Sequence, residues 1–112
     1  GMFVRVYAGE DGQSHFEDSE LPDKDLDPVA LKPGAEIFFR HFVDGEFHDW
    51  HNESRRQYAF ILSGEVQFQV GDSSVRNLGP GGVFLGEDLT GQGHTSRMVK
   101  GPCVVAFIPL PE

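Results

Sequence analysis

Short runs rich in β-branched and aromatic residues recur along a chain of 112 residues in which helix-period patterns are hard to find. They are Phe3 to Tyr7, Ile37 to Val43, Tyr58 to Leu62, Val66 to Val70, Val83 to Leu85, Arg97 to Val99 and Cys103 to Ile108. Between them stand turn signals: Ser63-Gly64-Glu65, Gly71-Asp72-Ser73-Ser74, Gly79-Pro80-Gly81-Gly82 and Lys100-Gly101-Pro102. Strands this short and this evenly punctuated predict an all-β sandwich or barrel with hairpin-like connections. In Val66-Gln67-Phe68-Gln69-Val70 apolar and amide side chains alternate, so Val66, Phe68 and Val70 are expected to face the core.

The length suits one hydrophobic core and one structural domain. Within it, residues 2–34 read as an N-terminal arm and edge strand and residues 35–112 as the barrel. From Glu10 to Asp27 eight acids meet one base, Lys24, and Pro22 and Pro28 block a long helix, which predicts an extended arm. Its acidity reads as solvation in preference to a basic partner. A formal net charge of -9, with Arg55-Arg56 the one basic pair, argues against nucleic acid and anionic membrane as partners. A lone Cys103 in an apolar run forms no internal disulfide and suits a reducing, cytoplasmic location. No run approaches a membrane span or opens the chain as a signal peptide would, and Gly1 ahead of Met2 reads as a remnant of tag removal. Phosphate-loop, nucleophile-elbow and Cys-x-x-Cys patterns are absent from the sequence, which removes support for nucleotide hydrolysis, serine acyl transfer and thiol redox chemistry.

Chemistry concentrates between Gly45 and Gly64, where polar, metal-capable side chains precede an apolar strand. In extended backbone His51, Glu53, Arg55 and Gln57 share one face, continued by Ala59 and Ile61, which predicts a polar mouth over a greasy interior. Imidazole and carboxylate are competent ligands for a divalent cation, and a guanidinium at 55 suits a carboxylate or phosphate. His51 is equally eligible as a hydrogen-bonding group at the mouth, Gln57 as a pocket hydrogen-bonder, and Glu53 as a solvated side chain. In Ile37 to Phe42, alternation sets Ile37, Phe39 and His41 against Phe38, Arg40 and Phe42, with either face eligible for the pocket. His15 and His48 are expected in loops.

The spacing Gly45-x5-His51-x-Glu53-x3-Gln57-x6-Gly64 resembles the first motif of the cupins, Gly-x5-His-x-His-x3,4-Glu-x6-Gly, with Glu53 and Gln57 in place of two ligands. Pro80-Gly81-Gly82 resembles the turn of the second motif, whose leading Gly, His and Asn positions fall on Ser74, Leu85 and Leu89. The resemblance, over roughly residues 35 to 110, implies a small single-domain cupin: a double-stranded β-helix, or jelly-roll barrel, that commonly dimerises. It implies one divalent metal ion of unstated identity, held here by His51, Gln57 and His94, or no metal at all, as in the sugar-epimerising cupins. His94, after Gly91-Gln92-Gly93, is expected to supply the imidazole that Leu85 does not, or to serve only loop closure. Glu87 and His94 are the candidate catalytic groups, with His41, Glu53, Arg55, Gln57, Leu85 and Asp88 around the ligand. Glu87-Asp88 is either an acid/base pair or a solvated rim. The functional expectation is a small-molecule-binding cupin acting on a polar or anionic organic compound; the alternative is a non-catalytic sensor or structural homodimer.

Overall fold

The structure, a computed structural model, describes residues 2–112, so Gly1 lies outside the described residues. Eight strands form in chain order: β1 Met2–Ala8, β2 Ser14–Glu20, β3 Phe38–Phe42, β4 Phe47–His51, β5 Gln57–Gln69, β6 Val75–Leu78, β7 Val83–Glu87 and β8 His94–Pro109. Their ladder runs β2-β1-β7-β5-β8-β3, with β4 also on β8 and β6 also on β5. All pairings are antiparallel except β1 with β7.

The two longest strands, β5 and β8, each serve two layers. The first half of β5 pairs with β7 and with the second half of β8, whereas the second half of β5 pairs with β6 and with the first half of β8. Strand β3 extends the first layer and β4 the second. The hinge between them is the irregular stretch where Ser63 meets Val104 and Glu65 meets Lys100. Here two expected turns, Ser63-Gly64-Glu65 and Lys100-Gly101-Pro102, prove to be bulges inside continuous strands. Gly64 takes φ +76, and a β-carbon there would press on Cys103 Sγ and the Lys100 carbonyl, so only glycine permits the crossing.

The bulges also reverse the pleat. Before them β5 turns Gln57, Ala59 and Ile61 inward, and after them Val66 and Phe68; β8 turns His94, Ser96 and Met98 inward first, then Val105 and Phe107. Val66, Phe68 and Val70 are all buried, as their alternation requires. Phe68 and Phe84 stack with centroids 4.0 Å apart across the two layers, fastening the roll at its centre.

The acidic segment divides differently from the sequence expectation. Residues 14–20 form the edge strand β2, paired residue for residue with β1, and Val4 and Val6 of β1 are wholly buried in the core. Repulsion among Glu17, Asp18 and Glu20 is relieved by pleating them into solvent and by Arg76, which ion-pairs with Asp18. Residues 21–37 carry no strand. His15 and His48, expected in loops, lie in β2 and β4.

Candidate functional site

Between the two layers lies a cavity of about 510 Å³. Its deep wall is apolar, built from Phe42, Ile61, Phe68, Phe84, Val105 and Phe107, and its outer end carries His51, Asn52, Glu53, Ser54, Arg55 and Gln57. This is the size and polarity of a small-ligand pocket.

Three side chains at the polar end converge. The pairing of β4 with β8 sets His51 directly opposite His94, with ring centroids 4.7 Å apart. Gly93 makes that approach feasible: its φ is +81, and a β-carbon would collide with the His51 carbonyl. Glu53 follows β4, and its N–H donates to the carbonyl of Asp88 at 3.1 Å, which lays its side chain over Gly86. A β-carbon on residue 86 would stand 2.7 Å from Glu53 Cγ and Cδ, so the missing side chain creates the room. One donor atom from each of His51, Glu53 and His94 lies within 4.8 Å of the others.

Each of the three is held from behind. His51 Nδ1 lies 2.7 Å from the Asp49 carbonyl, an acceptor only, so that nitrogen carries the proton and Nε2 is left with a lone pair. His94 Nδ1 lies 2.7 Å from Asp88 Oδ2, which also accepts from the Ser14 hydroxyl at 2.7 Å. Gln57 Nε2 donates to Glu53 Oε2 at 2.7 Å, and Arg55 Nε donates to Gln57 Oε1 at 3.4 Å. Partners that orient ligand groups in this way are the usual outer support of a metal centre.

His94 and Asp88 are essentially inaccessible, and Asp88 Oδ1 has no hydrogen-bond partner. Burial alone would lower the His94 pKa, but hydrogen bonds and charge from Asp88 and Glu53, the latter 3.4 Å from Nε2, outweigh it and raise the value to about 9. An imidazolium between two carboxylates is one way to balance this charge. A divalent cation in front of a neutral His94 is another, and it leaves two imidazole nitrogens and a carboxylate oxygen as donors, a set suited to first-row metals.

The remaining sequence-derived candidates separate by pleat. Arg55, Glu53, Gln57, His51 and His94 line the cavity. Gln57, expected as a metal ligand, instead spends its amide orienting Glu53. His41 lies on the outer face of β3, because Phe38, Arg40 and Phe42 take the inner one. Leu85, carrier of the motif's histidine position, is likewise on the far side of β7 from Phe84, which lines the cavity. Glu87, expected as a catalytic group, is bound between Arg5 Nε and Arg56 Nε, outside the cavity lining. Asp88 does not line the cavity either; it stands behind His94.

The structure also brings in residues that sequence reasoning passed over. His48 lines the cavity, bonded to Glu46 Oε2 through Nε2 at 2.7 Å and to Ser96 through Nδ1 at 3.2 Å. Parity in β4 gave no usable signal, because the register shifts between His48 and His51, and Trp50, of the same parity as His48, lies exposed outside the lining. Ser14 carried no signal, since its partner Asp88 is 74 positions away.

No protein-family profile and no curated protein matches the chain. Solved structures do. One, a protein of unknown function from Rhizobium leguminosarum bv. viciae 3841, aligns with TM-score 0.61 and 14% identity over 74% of this chain and 76% of that one. KdgF from Halomonas sp. aligns with TM-score 0.54 and 21% identity over 80% and 86%. An RmlC-like cupin from Desulfovibrio desulfuricans aligns with TM-score 0.53 and 19% identity over 85% and 97%. At these identities the likeness concerns the fold alone: the chain has the barrel fold that these structures share, an RmlC-like cupin among them. No helix among the described residues is long and apolar enough to cross a membrane.

Proposed function

We propose that this protein is a small-molecule-binding cupin in which His51, Glu53 and His94 hold one divalent metal ion at the polar end of the cavity, and that it acts on a small polar or anionic organic compound. The observation that carries this reading is the convergence of three donor groups within 4.8 Å, each oriented by its own partner. Asp49 and Asp88 hold the two imidazoles with Nδ1 protonated, so both Nε2 atoms can face one ion, and Gln57 steadies the carboxylate. A bound ion would supply Lewis-acid polarisation of a ligand oxygen. Without the ion, Glu53 and His94 are the groups that would hold or move a proton at the ligand; in either case the apolar wall excludes water from its body. The test is elemental analysis and calorimetric metal titration of the purified protein. One ion per chain is expected, with His51→Ala, Glu53→Gln and His94→Ala each lowering affinity at least about tenfold. Absence of saturable binding of manganese, iron, cobalt, nickel and zinc would overturn the metal centre and leave His94 and Glu53 as a metal-free acid/base pair.

The partner we propose on the outer surface is a second copy of the chain. Strand β3 is an edge strand; Phe39 within it and Ile37 and Val43 at its two ends are 68%, 55% and 58% exposed. Apolar side chains so exposed beside an open edge favour association. Light scattering after size exclusion should give a dimer that Phe39→Glu converts to monomer; a wild-type monomer at high micromolar concentration rules the arrangement out. A dimer that binds neither metal nor small molecule would instead favour the structural alternative.

A further inference from the structure

The charge inside the cavity runs opposite to the charge of the chain. Acids outnumber Lys and Arg by 18 to 9 overall, yet the cavity lining holds two arginines, Arg40 and Arg55, and one carboxylate, Glu53. Neither arginine makes an ion pair among the described residues, although Arg40 helps to hold the Glu46 carboxyl below its ordinary pKa; Arg5, Arg56 and Arg76 are ion-paired, and Arg97, outside the lining, is not. With so many acids available, two unpaired guanidinium groups on one concave surface mark a place that an incoming anion neutralises.

The two are also held ready. The Arg55 guanidinium lies 4.8 Å from the ring centre of Phe38, and that of Arg40 lies 5.7 Å from the ring centre of Phe42. Both rings line the cavity, so each charge rests on an aromatic face; Arg55 Nε is engaged by Gln57, which leaves its terminal N–H groups for an oxygen acceptor. Arg55 is tied through Gln57 to Glu53, which links the anion position to the proposed metal triad. Beyond the charges the wall is hydrocarbon and aromatic.

We propose that the cavity selects small organic carboxylates with an apolar body, the carboxylate clamped by Arg55 and Arg40 and the body lying against Phe42, Ile61, Val105 and Phe107. A planar guanidinium matches a carboxylate edge, and the apolar wall rewards a carbon skeleton that an inorganic anion lacks. The assignment rests on the small-molecule reading above but not on the metal, because neither arginine is a ligand in it.

Calorimetric titration of chelator-treated protein with matched acid and amide pairs tests it: phenylacetate and phenylacetamide, cinnamate and cinnamamide, adipate and adipamide, with inorganic phosphate as a further arm. At least one acid is expected to bind about tenfold or more tightly than its amide. Arg55→Met and Arg40→Met should each erode that preference, and the double variant should abolish it while retaining the wild-type melting temperature. Acids and amides binding equally, a preference that survives in the double variant, or phosphate binding more tightly than every acid would overturn the clamp while the small-molecule reading stands. Binding of neither acids nor amides overturns both.

Discussion

Glu87 and Asp88 are neighbours in sequence with the same functional group, and they live in opposite environments. Glu87 closes β7 on its outer side, where Arg5 and Arg56 grip both of its oxygens. Asp88 is wholly buried, holds His94 and Ser14 through one oxygen, and leaves the other without a hydrogen bond. One step along the backbone turns a carboxylate from a structural clasp into the support of a buried histidine. Acidic residues here take their role from the pleat that aims them, and two adjacent acids need not form an acid/base pair.

Removing each acid should therefore break different things. Asp88→Ala strands His94 and the Ser14 hydroxyl in the interior and is expected to have the largest effect. It should lose about 3 kcal/mol of stability in urea unfolding and lower metal affinity about 10- to 100-fold. Glu53→Gln keeps the shape and removes a ligand charge, so metal affinity should fall by a comparable factor while stability changes by less than about 1 kcal/mol. Equal losses of stability in the two variants would erase the distinction between support and ligand. Glu87→Gln should cost about 1 kcal/mol, since its arginine partners are partly solvated, and leave metal affinity unchanged; a fall in affinity would return Glu87 to the site.

The pH profiles separate the same groups by sign. Burial pushes the Glu87 carboxyl up, but hydrogen bonds and charge from Arg5 and Arg56 prevail and hold it below its ordinary value of 4.5. Its contribution is thus present above that value and lost as pH falls through the lower folded one, so the gap between wild type and Glu87→Gln should narrow in acid. His94 in metal-free protein has the reverse sign. Its pKa rises from 6.5 to about 9, so its contribution is full below 6.5 and disappears as pH climbs through about 9. Thermal unfolding of chelator-treated protein between pH 6 and pH 10 should show that alkaline loss, and saturating metal should remove it by replacing the proton. A flat profile without metal would mean that His94 is not held as an imidazolium.

The legible part of the site was the polar segment ahead of β5, whose His51, Glu53, Arg55 and Gln57 all reach the cavity, though not by parity: β4 ends at His51, β5 begins at Gln57, and Asn52 and Ser54 line the cavity between them. Parity without a reference for inside and outside was insufficient at β3, where His41 turned out and Arg40 in, and at β7, where Phe84 took the inner position beside Leu85. The turn signals at Gly64 and Gly101-Pro102 marked real irregularities, but glycine and proline do not reveal whether a chain reverses or only bulges. The acidic run of residues 14–20 looked like a solvated arm because pairing with β1 depends on backbone groups that every sequence shares.

Local rules were enough for the strand-rich class, the apolar alternation of Val66 to Val70 and the polar group ahead of β5, since pleat and side-chain polarity act over a few residues. Tertiary structure alone decided that His94 faces His51, that Gly86 yields its space to Glu53, that Ser14 supports Asp88, and that two arginines share a cavity with a single acid. Those relations join residues tens of positions apart, and they arise only when β5 and β8 bend at their bulges and fold one layer over the other.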